Sequence, residues 1–369
     1  MSSDAFPIER VVASRRGTLD LATTAFGTVM SDHMFVAEYA DGAWGAARIV
    51  PYGPLPLLPS ISGLHYGVSV FEGLKAHRGP AGEILVFRAP DNARRMSRSA
   101  ERLAMVPVPE PLFLDGLEQL LRLDQRWVPE ASEGALYIRP LLFSTDPQLR
   151  PQPASRFAFV ILTSPFAAYF AAPVDVYVGE RYVRAFPGGT GDVKPGGNYA
   201  PALLADREAA QHGCSSVLWL DGIHRTYVEE CGVMNVFFVL GDSVVTPELG
   251  GTILPGIQRD SVITMLRDRG VAVEERPISI HDLVSAHDRG ELREAFGTGT
   301  AATVSHLRSL RYRDRHLVLP PVEQRTIGPA IRRALVDVAT GRAPDPHGWV
   351  TQVHDGDHDT ESRARSTGP

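Results

Sequence analysis

Lysine is almost absent from this chain of 369 residues: of 37 basic side chains only Lys75 and Lys194 are lysine, and the rest are arginine. Arginine stays protonated and cannot condense with a carbonyl, so a chain written in arginine singles out the positions where an amine able to lose its proton is required. Cysteine is nearly as scarce. Cys214 and Cys231 are too few for a disulfide framework and share no metal-ligand spacing, which excludes a stapled extracellular scaffold and points to a reducing cytoplasm. Met1 to Arg16 mixes Asp, Glu and Arg without an apolar run, so no secretory signal is read there. Phe157 to Val174 lacks charge, yet Thr163-Ser164-Pro165 divides it and Pro173 closes it. A membrane span needs roughly 18 or more apolar residues, so a buried strand from Phe157 to Leu162, a turn and an aromatic segment fit better. Net charge is −6 with no dense basic tract, which excludes a nucleic-acid surface. Small molecules and further copies of the chain remain as partners.

What is present is ordinary for a globular protein: 44% apolar and 22% charged residues, over a length that exceeds one core. His33 to Tyr39 and Trp44 to Val50 are expected strands around an Asp41-Gly42 hairpin turn. Val70 to Leu74, Ile84 to Phe87, Leu136 to Ile138, Val217 to Leu220 and Val236 to Leu240 are expected strands too. Helical spacing of Ala93, Met96, Ala100 and Leu103, and of Leu117, Leu120, Leu121 and Val128, predicts two helices. Further helices are expected over Tyr199 to His212, stopped by Gly213, and over Gln258 to Arg269 and Val322 to Ala339. Strands and helices mix through both halves, giving an α/β or α+β class. Two domains are expected, 1–168 and 175–350, with a linker over 169–174 and a polar, disordered tail over 351–369. His354-Asp355-Gly356-Asp357-His358 falls in that tail and reads as solvated polar chain, because a metal site needs fixed geometry.

The densest chemistry is the run Gly188-Gly-Thr-Gly-Asp-Val-Lys194-Pro-Gly-Gly-Asn-Tyr199. Flanking glycines let backbone approach a bulky planar ligand, with one amine in the gap. A phosphate-binding P-loop would need Gly-Lys-Ser/Thr, whereas Lys194 lies between Val193 and Pro195. Gly297-Thr-Gly-Thr-Ala-Ala302 echoes a dinucleotide fingerprint but lacks a helix start after it.

The run from Lys194 to Tyr199, then Val228-Glu-Glu230, Met234-Asn235, Leu254-Pro-Gly256 and Gly297-Thr-Gly-Thr300-Ala301, resembles the branched-chain amino acid aminotransferases in order and spacing. His65-Tyr66-Gly67, Val70-Phe-Glu-Gly-Leu-Lys75, Arg88, Arg98-Ser-Ala-Glu-Arg102 and Tyr137-Ile-Arg-Pro140 match as well, so the resemblance covers about Phe26 to Trp349. It implies a fold type IV enzyme dependent on pyridoxal 5′-phosphate (PLP), working as a homodimer on amino acids and 2-oxo acids. Lys194 would bond the cofactor aldehyde and later shuttle a proton, which demands an amine near neutral pKa. Glu230 would face the pyridine nitrogen and Tyr199 the 3′-oxygen. Arg88, Thr300 and the backbone N–H groups of Ile257 and Gln258 would hold the phosphate at a helix N-terminus.

For the substrate, the resemblance places Phe26, Tyr66, Tyr137 and Tyr169 as aromatic walls. Tyr137, Thr300 and Ala301 would hold the α-carboxylate, and Arg139 the distal carboxylate of glutamate. Val233 stands where relatives often have Thr or Gly, which alters the edge of the substrate pocket. Ala302-Thr303-Val304-Ser305 replaces the Cys-x-x-Cys of the mammalian enzymes, so redox regulation by that route is absent. The expected reaction is transfer of the amino group from Leu, Ile or Val to 2-oxoglutarate. Alternatives are a D-amino acid or amine transaminase or a lyase of the same fold type, a nicotinamide dehydrogenase, and a non-catalytic binding protein.

Overall fold

The structure, a computed structural model, describes residues 6–167 and 172–354. Within these, the strands form two nine-stranded sheets. The first holds β1 (His33–Ala40), β2 (Ala43–Trp44), β3 (Arg48–Pro51), β4 (Ser69–Phe71), β5 (Leu74–Arg78), β6 (Ile84–Phe87), β7 (Ala135–Ser144) and β8 (Phe157–Phe166). The second holds β9 (Val174–Gly179), β10 (Ser216–Leu220), β11 (Val228–Cys231), β12 (Met234–Leu240), β13 (Ser243–Thr246), β14 (Ala272–Glu275), β15 (Leu292–Gly299), β16 (Thr303–Tyr312) and β17 (Arg315–Val318). A last strand, β18 (Val350–Val353), returns to the first sheet and pairs antiparallel with β6. The helices are α1 (Ser62–Tyr66), α2 (Ala89–Arg102), α3 (Glu110–Leu123), α4 (Ala202–Gln211), α5 (Ile257–Asp268), α6 (Ile280–Asp288) and α7 (Ile327–Ala339).

The mixed α/β class holds. Ala93, Met96 and Ala100 of α2 and Leu117, Leu120 and Leu121 of α3 bury against Phe35, Leu74 and Ile138 of the first sheet, as their helical spacing requires. Val262 and Leu266 of α5 and Ile331 and Leu335 of α7 close a separate core on Phe237 and Phe296 of the second sheet. All pairings in the first sheet are antiparallel, whereas β9 pairs parallel with both β10 and β16. Among the described residues no helix is long and apolar enough to cross a membrane.

Five expectations fail in detail, each for a local reason. The Trp44 to Val50 strand splits, because the register against β1 slips by one residue between the Tyr39–Trp44 and Val36–Arg48 pairs. Val70 to Leu74 also splits, because Glu72 turns into the interior to meet Arg95. The turn placed at Thr163-Ser164-Pro165 is strand: β8 runs through it, with Pro165 opposite Leu136. Pairing of β8 with β1 ends at Ile161, so Pro165 lies on an edge where its missing N–H costs no ladder bond. Val322 to Ala339 is not one helix; α7 begins at Ile327, where the Glu294 carboxylate accepts the N–H groups of Thr326, Ile327 and Gly328. Disorder does not begin at Thr351, since Val350 to Val353 pair with Phe87 to Ile84. Residues 355–369, with most of the histidine-aspartate run, lie outside the described residues.

Candidate active site

The glycine-rich loop around Lys194 is clamped by the first sheet and its helix. Lys194 N donates to Ser99 Oγ of α2 at 3.1 Å, and Phe71 N donates to Lys194 O at 3.1 Å. Asn198 closes the loop on itself, donating from Nδ2 to Thr190 O at 2.7 Å. This fixed backbone aims the amine: Nζ donates to Tyr199 Oη at 3.0 Å and stands 4.7 Å from the Phe71 ring centre.

Across from it, strand β11 carries Glu230, which is 3% exposed. Its Oε1 accepts from Leu254 N at 2.7 Å and its Oε2 lies 2.9 Å from Arg184 Nε. Burial pushes this carboxyl above the ordinary carboxylate range, while Arg184, the Leu254 amide, Lys194 and Arg95 oppose the rise. The pull from Lys194 places amine and acid in one electrostatic site. Arg184 is itself held by Thr252 O at 2.6 Å and Gly191 O at 3.0 Å.

The same strand pair builds the next part. Asn235, opposite Glu230, donates from Nδ2 to Leu254 O at 2.9 Å. Gly256 passes so close that a Cβ there would collide with Asn235 Oδ1, so the turn into α5 requires glycine. Ile257 and Gln258 open α5, where first-turn N–H groups have no intrahelical acceptor. Arg88 reaches the same corner from the first sheet, donating from Nη1 to Ser261 Oγ at 2.9 Å and Ile257 O at 3.3 Å. It also pairs with Asp91 and Asp260, both at 2.6 Å. Thr300, in the turn between β15 and β16, lines a cavity of about 20 Å³ with Ile257 and Gln258. The four phosphate residues inferred from sequence are thus neighbours.

Of the substrate residues, Phe26, Tyr137 and Ala301 meet in one apolar cluster with Phe166. The Phe26 ring lies 4.9 Å from Tyr137 and 5.1 Å from Phe166, edge-on to both. Arg139 donates from Nη2 to Tyr137 Oη at 2.8 Å and stacks 4.5 Å over Phe71, and its buried Nε has no hydrogen-bond partner among the described residues. Val233 is half exposed in the turn between β11 and β12, with its carbonyl beside Gly299. Tyr66 stands apart: it is exposed on α1 and its hydroxyl donates to Leu149 O at 2.5 Å. Tyr169 lies outside the described residues.

Several contributors carry no role from sequence. Phe71, Glu72, Ser99 and Asn235 sit inside recognisable motifs, so their positions at least were marked. Arg95 and Arg184 have no signal at all in a chain this rich in arginine. Arg95 is buried, bonds both oxygens of Glu72 at 2.7 and 2.8 Å, and donates from Nη1 to Pro255 O at 3.2 Å.

Carbonyl chemistry at an amine, with an acid fixed nearby and anion-binding N–H groups at a helix start, is what an aminotransferase requires. The chain belongs to the amino-transferase class IV family, whose model matches residues 69–310. It is 45% identical to a branched-chain-amino-acid aminotransferase of Mycobacterium tuberculosis over 342 residues, covering 90% of this chain and 93% of that one. A probable branched-chain-amino-acid aminotransferase of Staphylococcus epidermidis is 42% identical over 354 residues, or 94% and 99%. Among solved structures, the branched-chain aminotransferase of Thermoproteus uzoniensis with norvaline superposes with a TM-score of 0.73 at 25% identity, covering 86% of this chain and 99% of that chain. The Escherichia coli branched-chain amino acid aminotransferase gives 0.71 at 26% identity over 86% and 99%. The fold is therefore type IV, as the motifs implied.

Proposed function

We propose that this enzyme transfers the amino group reversibly between a branched-chain L-amino acid (Leu, Ile, Val or a related apolar amino acid) and 2-oxoglutarate, with PLP bonded to Lys194. The observation that carries the reading is one amine, on Lys194, within hydrogen-bond reach of Tyr199 and inside the field of the buried Glu230. The residues fit the cofactor. Glu230 has lone pairs left for a ring N–H, Gly256 gives the close approach at α5, and Arg88, Thr300 and the Ile257 and Gln258 amides offer donors for a phosphate.

PLP supplies an electron sink for the charge left at Cα when a substrate loses its proton. Lys194 would take that proton at Nζ and return it. Glu230 would face the ring nitrogen, held in place by Arg184. Tyr199 orients the amine through its hydroxyl. Phe26 and Tyr137 exclude water from an apolar side chain, with Val233 in the turn beside Gly299; the resemblance adds Tyr66 and Tyr169 to these walls. Thr300 and Ala301 meet the α-carboxylate, and the unpartnered Nε–H of Arg139 is available to a distal one.

The reading includes a homodimer. Leu64, Tyr66 and Leu149 are exposed together, which suits a surface covered by a second copy. It divides the chain into 1–168, a linker at 169–174 and 175–350, and places it in the cytoplasm, in keeping with two buried free cysteines.

Borohydride treatment followed by peptide mapping should find the reduced cofactor on Lys194, and a panel of donors with 2-oxoglutarate should favour Leu, Ile and Val. A label on another side chain, or none on active protein, rejects the covalent assignment. Preference for D-amino acids or simple amines moves the enzyme to another branch of its fold type.

A further inference from the structure

The other lysine is unexplained by anything above. Lys75 on β5 is half-buried and lines the small cavity shared with Asn92, Ile257, Gln258 and Thr300. Its Nζ donates to Thr303 Oγ1 at 2.5 Å. Thr303 holds a φ of +59°, a left-handed conformation that a β-branched residue adopts only under strain, and it closes the turn that presents Thr300. The cavity has room for about one water, and two acceptors on its wall, Asn92 Oδ1 and Gln258 Oε1, are buried without partners among the described residues.

What sets Lys75 apart is charge. Arg88 has Asp91 and Asp260, Arg95 has Glu72, and Arg184 has Glu230. Lys75 forms no ion pair among the described residues, and the charge that influences it most is the positive Arg332. Burial and Arg332 together pull the amine down to about 8. A desolvated ammonium without a counter-charge is unfavourable in the ligand-free protein. It becomes favourable when a dianion binds on the other side of the cavity wall.

We propose that Lys75 is a positioning residue for the phosphate end of the site: it sets the Thr300 turn through Thr303 and places an uncompensated positive charge behind the phosphate bound at the start of α5. The inference rests on the PLP reading and assigns to that cofactor a group outside its direct donors.

The test compares wild-type holoenzyme with Lys75→Met, Lys75→Gln and Thr303→Ala after the cofactor is stripped and returned. Titration with PLP and with pyridoxal, which lacks the phosphate, is followed by visible absorbance, and the bound phosphate by 31P resonance. Lys75→Met and Lys75→Gln should weaken PLP about tenfold or more, leave pyridoxal within about twofold, and move the 31P signal. Thr303→Ala, which keeps the charge, should show a smaller loss. Stripped Lys75→Met should melt no lower than stripped wild type, because an unpaired charge has been removed. Unchanged PLP affinity, equal losses for PLP and pyridoxal, or an apo variant that fails to fold would each overturn the proposal. Wild-type protein that gains no visible absorbance with PLP would instead remove the cofactor reading beneath it.

Discussion

Replacing Arg95 with Met removes a buried ion pair between α2 and the first sheet, and with it a bond to Pro255 O ahead of α5. Arg95 is 4% exposed and Glu72 fully buried, and among the described residues the guanidinium is the one counter-charge on that carboxylate; one further N–H, from Gly73 at 3.2 Å, remains. Removing one partner of a buried pair typically costs about 3–5 kcal/mol, because the other charge is left in low dielectric. That is a large fraction of a native stability of about 5–15 kcal/mol. Arg95→Met should therefore shift the urea midpoint far downward. Converting both partners to apolar groups, Glu72→Leu with Arg95→Met, should recover stability to within about 1 kcal/mol of wild type. Function should not recover with it. The double variant still lacks the bond from Arg95 to Pro255 O, which steadies the turn entering α5, so PLP affinity should stay reduced. A cost for Arg95→Met below about 1 kcal/mol, or a double variant as unstable as the single one, would refute the electrostatic reasoning.

Three other perturbations follow from the same geometry. Lys194→Ala should abolish transamination and the visible absorbance of bound cofactor while leaving far-UV circular dichroism unchanged; full turnover would contradict the assignment. Glu230→Gln should retain PLP but slow the half-reaction with an amino donor, seen by stopped flow, and an unchanged rate would remove Glu230 from that role. The third concerns His306, whose buried Nδ1 has no hydrogen-bond partner among the described residues. Burial, with Arg325 and Arg332, lowers its pKa to about 4. The unfolded chain binds this proton near pH 6.5 and the native state does not, so its contribution is complete above about 6.5 and is lost as pH falls toward about 4. His306→Asn should flatten the dependence of denaturation midpoint on pH between about 7 and 4.5; an unaltered slope would count against the shift.

The parts of this molecule legible in its sequence are those specified by near neighbours. Amphipathic spacing gave α2 and α3 because a helix face is set by residues three and four apart. The loop at Lys194 announced itself because glycine on both sides of an amine is a local pattern. Strand interruptions were less visible. Glu72 breaks a strand for the sake of Arg95, and Pro165 stays inside one because β1 stops short of it; both depend on partners distant in the chain. Thr351 to Val353 looked like solvated tail because an edge strand exposes one face and needs little apolar sequence, yet their backbone pairs with β6.

The site divides along the same line. Lys194, Tyr199, Glu230, Ile257 and Thr300 lie on the second sheet and its loops, and each falls in a short motif. The groups that hold them come largely from elsewhere: Ser99, Phe71, Arg95 and Lys75 from the first sheet and its helix, and Arg184 from the irregular chain after β9. In this chain arginine is the default cation, so an arginine at the site is camouflaged by composition, while a lysine is conspicuous. Four fixed guanidiniums, Arg88, Arg95, Arg139 and Arg184, surround a site whose two lysines are Lys194 and Lys75. A permanent charge suits a group that grips a carboxylate and must stay ionised, whereas covalent and proton-transfer work requires an amine that can be neutral. Replacing Arg184 with Lys therefore tests the division: the positive charge remains, but the guanidinium fork that joins Glu230, Thr252 O and Gly191 O is lost. The half-reaction rate should fall even though net charge is unchanged, and a wild-type rate would show that charge alone, without the fork, governs Glu230.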